Sequence, residues 1–161
     1  MTDAVYPGRF DPITLGHVDI VQRAARLFDH LSVAVFETPA QPPLFSAEER
    51  TALAREALQG ISNVAVEGFR GLVVEYAQAT GAKAIVRGLR ASTEFQVEFE
   101  MALMNRRLAP EIDVVCLLTS QQYLFVRSSI VREVARLGGN VVGLVPPNVI
   151  AALKRKYGAP A

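Results

Sequence analysis

Apolar residues follow two alternating patterns along this chain. Short runs rich in β-branched residues, at Ala4-Val5-Tyr6, Leu31 to Phe36, Val64 to Val66, Ala84-Ile85-Val86 and Ile112 to Leu118, have the form of strands covered on both faces. Between them apolar positions recur at helical spacing. Ile20, Val21, Ala24, Leu27 and Phe28 make one such face, with Asp19, Gln22, Arg23 and Arg26 opposite. Ser46 with Glu49, and Thr93 with Gln96, have the spacing of capping boxes. A later helix is expected from about Ser128, with Ile130, Val131, Val134 and Ala135 inward, stopping at Gly138-Gly139. The last helix follows Pro146-Pro147 and ends in Lys154-Arg155-Lys156, cations that suit the negative end of a helix dipole. Strands alternating with helices predict an α/β protein: a five-stranded parallel sheet flanked by helices.

The first strand leads into Tyr6-Pro7-Gly8-Arg9-Phe10-Asp11-Pro12-Ile13-Thr14-Leu15-Gly16-His17. Glycines and prolines set a tight turn, the helix that follows offers unpaired N–H groups and a positive dipole end, and His17 adds a side-chain donor beside them. Such a segment suits a phosphate chain. Neither a GxxxxGK[ST] loop nor a GxGxxG loop occurs. Ligands of open parallel sheets bind at the loops after the strands, which here are Pro7 to Asp11, Thr38 to Pro43, Gly68 to Gly71, Arg87 to Arg90 and Thr119 to Arg127. Four of the five contain arginine, which points to a polyanionic substrate.

Composition narrows the classes further. With 161 residues, half of them apolar, one domain over 1–161 can bury a sizeable core. Seventeen Lys and Arg against 16 Asp and Glu leave a net charge of +1, so neither nucleic acid nor a membrane surface is expected as a partner. The lone Cys116 excludes an internal disulfide, and its apolar surroundings, Val114 to Leu118, mark it as buried filler. The chain opens without a basic and apolar leader, and no apolar run reaches membrane-spanning length, so a cytoplasmic location is expected. His30 is expected in a loop.

The combination of YPGxFDPITxGH, Phe45 to Arg50 (FSAEER), Arg87-Gly88-Leu89-Arg90, Met104-Asn105-Arg106 and a helix opening at Ser128-Ser129 resembles the bacterial phosphopantetheine adenylyltransferases, members of the nucleotidyltransferase superfamily with a TxGH motif. The match extends over essentially the whole chain. It implies a Rossmann-like nucleotidyltransferase fold and transfer of AMP from ATP to 4′-phosphopantetheine, giving dephospho-coenzyme A and pyrophosphate. By the same resemblance, His17 and Arg90 are catalytic; Arg9 is added to them as a candidate for positive charge at the reacting phosphates. ATP is expected against Arg9, Phe10, His17, Gly88, Leu89, Arg90 and Glu98, and along Tyr123, Leu124, Phe125, Val126, Arg127, Ser128 and Ser129. The phosphopantetheine side uses Arg9, Gln41, Val73, Arg87, Asn105 and Glu133. Mg²⁺ is expected with the ATP phosphates rather than in a protein cage, since no carboxylate cluster has the spacing of one. The resemblance further implies a homohexamer and coenzyme A as a feedback ligand.

Three positions depart from the family pattern: Arg9 stands for serine or threonine, Gln41 for a lysine that contacts the reacting phosphates, and Arg127 for serine. Two readings follow. The added arginines replace the charge missing at Gln41, or the chain is an altered homologue, either with a different phosphate acceptor or as a non-catalytic nucleotide or coenzyme A binder. A flavodoxin-like redox or signalling domain shares the α/β pattern but gives His17 and Arg87 to Arg90 no role.

Overall fold

Five parallel strands form one sheet in the order β3-β2-β1-β4-β5. A computed structural model describes residues 1–158. The elements are β1 (Asp3–Gly8), α1 (Leu15–Ala24), β2 (His30–Phe36), α2 (Ala47–Ala57), β3 (Val64–Phe69), α3 (Val73–Thr80), β4 (Ala84–Leu89), α4 (Ser92–Leu108), β5 (Asp113–Leu118), α5 (Ser128–Arg136) and α6 (Pro147–Tyr157), with a single 3₁₀ turn at Gln121–Tyr123. The winding direction reverses between β1 and β4. These two strands pair only at Ala4 with Ala84 and Val5 with Ile85, which leaves a crevice between their carboxyl ends.

Strand alternation divides the core between the two faces of the sheet. Ala4, Tyr6, Val33, Val35 and Val86 pack on one side with residues of α1, α2, α5 and α6. Val5, Ala34 and Ile85 pack on the other with Val74 and Ala77 of α3, and with Ala109 and Ile112. Continuous apolar runs in the central strands are therefore explained by cover on both faces. Ser46 caps α2 through the expected box with Glu49.

Several local expectations are corrected. No side chain caps α4 at its start, so Thr93 and Gln96 form no box; the carboxylate of Glu94 reaches back to the N–H of Arg90 instead. Helix α1 stops at Ala24, which leaves Leu27 beyond its end and 62% exposed. Ile130 faces outward on α5, whereas Val131 and Ala135 are buried. His30 is the exposed first residue of β2. Cys116 is exposed, because β5 is an edge strand and its apolar run is only partly covered. Helix α5 does open at Ser128, as expected; its N-cap Arg127 makes no side-chain bond, and Ser128 Oγ donates to the carbonyl of Pro12 at 2.8 Å.

Candidate active site

Thr14, at the N-cap of α1, fixes the histidine. Its hydroxyl accepts from the N–H of His17 at 3.3 Å, while its own N–H donates to His17 Nδ1 at 3.0 Å. A ring nitrogen that accepts a backbone N–H carries no proton, so the neutral imidazole holds its proton on Nε2. Burial first, and the charge of Arg90 second, lower the pKa of His17 to about 4. His17 is thus a neutral donor at physiological pH.

The turn before α1 is shaped by tertiary contacts. Phe10 has φ 46°, a left-handed conformation that costs a non-glycine residue energy. Its ring lies edge-on to His17, with centroids 5.1 Å apart, and edge-on to Tyr6 at 5.5 Å. A Cβ at Gly8 would stand 2.8 Å from Phe10 Cζ, which explains the glycine. Asp11 is buried and accepts from the N–H groups of Leu44, at 2.9 Å, and Phe45, at 3.0 Å. Arg132 also donates to both its carboxylate and its carbonyl.

The crevice between β1 and β4 opens into a cavity of about 360 Å³. That volume lies within the range of about 300–1,000 Å³ common for small-molecule sites. It brings together Phe10, His17, Arg87, Gly88, Arg90, Glu98 and Val126 of the expected residues. Arg87 is held by Glu98 through two bonds, Nε to Oε2 at 2.7 Å and Nη2 to Oε1 at 2.6 Å, and a third donor reaches the carbonyl of Pro7 at 3.3 Å. Burial works against the Arg87 charge, but the bond and charge of Glu98 outweigh it and raise its pKa. This ion pair also borders a second, smaller cavity of about 90 Å³, lined by Val73 and Asn105 with an apolar floor of Ile85, Met101 and Val114. Val73 and Asn105 thus line one small cavity together with Arg87.

Other expected residues do not line either cavity. Leu89 is buried at the end of β4. Arg9 is exposed and donates from Nη2 to the carbonyl of Gln41 at 3.1 Å, so the two departures meet each other. Leu124, Phe125 and Ser129 are exposed, and Tyr123 packs partly against the core. Glu133 is exposed and paired with Arg136 at 2.7 Å. Arg127 Nη2 stands 3.8 Å from the cavity-lining Glu94. Arg70, in the loop after β3, is paired with Glu37 and lines neither cavity.

Sequence reasoning missed Glu94, Asp11, Asp19 and Arg132. Glu94 lies four residues after Arg90, a spacing that could have revealed their pairing. Asp19 accepts from Ser120 Oγ at 2.8 Å and so ties the loop after β5 to α1. No sequence signal joins residues that far apart.

A parallel sheet with this strand order, a histidine on the first turn of α1 and arginines at the carboxyl end of β4 define a nucleotidyltransferase. Residues 5–134 match the cytidylyltransferase-like family. A Vibrio parahaemolyticus protein assigned as a nicotinate-nucleotide adenylyltransferase has the same fold, with TM-score 0.67 over 96% of this chain and 93% of that one at 15% identity. The chain belongs, more narrowly, to the phosphopantetheine adenylyltransferases. It is 60% identical over 157 residues to the phosphopantetheine adenylyltransferase of Thermomicrobium roseum, covering 96% of this chain and 94% of the relative. It is also 54% identical over 158 residues to that of Heliobacterium modesticaldum, covering 98% and 94%.

Because His17 is held neutral, its ring should titrate with a midpoint near pH 4 and stay flat from pH 8 to about 5.5 when followed by NMR. The sign of the stability effect follows. The folded pKa lies below the ordinary 6.5, so the contribution is full above pH 6.5, is lost as pH falls from 6.5 to about 4, and is constant below that. It amounts to no more than about 3 kcal/mol, and less because the ring edge faces the cavity. Urea denaturation of wild type and His17→Gln at pH 7 and pH 4 measures it; a ring midpoint between 6 and 7 contradicts it.

Proposed function

We infer that the protein transfers AMP from ATP to 4′-phosphopantetheine, giving dephospho-coenzyme A and pyrophosphate. The observation that carries this reading is the convergence of neutral His17, Arg90 and the Arg87–Glu98 pair on one cavity at the β1/β4 crevice, in a chain 60% identical to a phosphopantetheine adenylyltransferase. An oxygen of the acceptor phosphate forms a bond to the α-phosphorus as the bond to the β-phosphate bridging oxygen breaks. The acceptor phosphate is already anionic near neutral pH, so no general base is required. Catalysis rests on positioning and on donors aimed at the developing charge.

His17 Nε2–H would donate to an α-phosphoryl oxygen without changing its own charge. Arg90 would neutralise the phosphates beside it, and Arg87, oriented by Glu98, would take the acceptor phosphate. The smaller chamber with Val73 and Asn105, about 90 Å³, would take only part of the pantetheine arm next to its phosphate. ATP would enter as its magnesium complex, since the hard phosphate oxygens suit that ion. When bound, the ion offsets charge on the leaving pyrophosphate.

Arg9 replaces the positive charge missing at Gln41. In support, its guanidinium already reaches the Gln41 main chain. Arg9→Thr is expected to raise KM for the acceptor or lower kcat by about tenfold or more, and Gln41→Lys in that background to restore most of the loss. Steady-state kinetics of the single and double variants test this; failure of the lysine to rescue sinks charge relocation.

The whole chain is one nucleotidyltransferase domain in this reading, cytoplasmic and assembled as a homohexamer, with coenzyme A as a feedback ligand. No helix among the described residues is long and apolar enough to cross a membrane. Helix α4 buries only Asn105 among the described residues, while Phe95, Phe99 and Leu103 are each more than half exposed, which supports assembly over this face. Pyrophosphate release with Mg²⁺, ATP and 4′-phosphopantetheine, against a control lacking the acceptor, decides the activity. Acceptor-dependent release is expected; ATP binding without release would make the chain an altered homologue.

A further inference from the structure

We propose that Glu94 is a positioning residue for the transfer: its carboxylate fixes Arg90 against the phosphates and tethers Arg127 at the rim of the same cavity. The proposal rests on the reading of this cavity as the ATP-phosphate site. Glu94 stands on the first turn of α4 and lines the cavity with His17 and Arg90. Oε2 accepts from the N–H of Arg90 at 2.9 Å and from its Nε at 3.4 Å, and Oε1 accepts from Nη2 at 2.7 Å. On its far side Arg90 donates from Nη1 to the carbonyl of Val126 at 3.1 Å. The guanidinium is thus gripped from two sides, with its backbone and side chain locked by one carboxylate.

A bare carboxylate in a polyphosphate cavity would repel the substrate. Glu94 does not act as one, since Arg90 binds it at two atoms and Arg127 stands 3.8 Å from Oε1. Burial would raise its pKa, but the Arg90 N–H bond, the Arg90 guanidinium and the Arg127 charge together lower it, so the carboxylate remains ionised. The pair of arginines with one glutamate keeps a net positive charge toward the ligand. The 3.8 Å separation of Arg127 exceeds hydrogen-bonding distance, so that arginine is tethered by charge and free to turn toward phosphate oxygens. Arg90, by contrast, is preorganised before substrate arrives.

The test is a double-mutant cycle with Glu94→Gln, Arg90→Ala and both together, reading kcat, KM and the ATP dissociation constant. Glutamine keeps the shape of the helix start and removes the charge. Glu94→Gln is expected to lower kcat by about tenfold with acceptor KM within about twofold, and the double variant to be no slower than Arg90→Ala alone. Independent, multiplying losses, or a Glu94→Gln enzyme within about twofold of wild type, overturn the proposal. A wild type that binds ATP without acceptor-dependent pyrophosphate release overturns the function instead; the coupling is then read in ATP affinity, where non-additivity supports Glu94 as the positioning group and additivity overturns it.

Discussion

His17→Ala is expected to reduce kcat by about a hundred- to a thousandfold while ATP affinity changes by only a few-fold, the pattern for a donor whose interaction strengthens in the transition state. The loss equals about 3–4 kcal/mol, the usual effect of removing one preorganised donor from a developing anion. Preorganisation has a visible source. The N–H of Thr14 holds Nδ1, Phe10 closes one side of the ring, and burial with Arg90 keeps it neutral, so Nε2–H is the remaining donor. His17→Gln should recover part of the rate, because an amide N–H can approach the Nε2 position but cannot reproduce the Thr14 contact. Steady-state kinetics beside thermal melts check this. An alanine variant that folds and turns over at the wild-type rate would remove His17 from the chemistry.

Arg50→Met should destabilise the protein by about 3–5 kcal/mol, the largest stability effect expected from a single side chain here. Arg50 is fully buried, and its guanidinium donates to the carbonyls of Phe45 at 3.1 Å, Arg9 at 2.7 Å, Phe36 at 2.7 Å and Glu37 at 3.4 Å. Methionine fills much of the same space but leaves those buried acceptors unsatisfied. Burial lowers the pKa of Arg50 even though Asp11 favours its charge. Urea denaturation gives the loss directly. Since the carbonyl of Arg9 is one of the four, turnover should also fall, through disorder in the turn that carries Arg9 and Phe10. A midpoint unchanged by Arg50→Met would show that water replaces the guanidinium without cost.

The sheet, its parallel sense, the Ser46 cap of α2 and the helix that carries His17 on its first turn were determined by the sequence itself. Hydrophobic runs, turn residues and an N-cap are local, so their physics acts over a few neighbours. The TxGH segment and Arg87 to Arg90 were legible as parts of one sheet edge because both follow strands at the ligand-bearing end, whereas Glu98, in mid-helix, was singled out only by the family resemblance. Phe45 to Arg50 was legible as a family marker, but nothing local says that Arg50 is a buried clamp on four carbonyls. Only tertiary structure could decide contacts made across long stretches of chain: Asp11 with Leu44, Phe45 and Arg132, Asp19 with Ser120, and Arg9 with Gln41. It also decided which apolar residues are covered. Cys116 and Ile130 have core-like neighbours in sequence, yet an edge strand and an outward helix face leave them exposed, since burial depends on what packs against a position rather than on its own hydrophobicity.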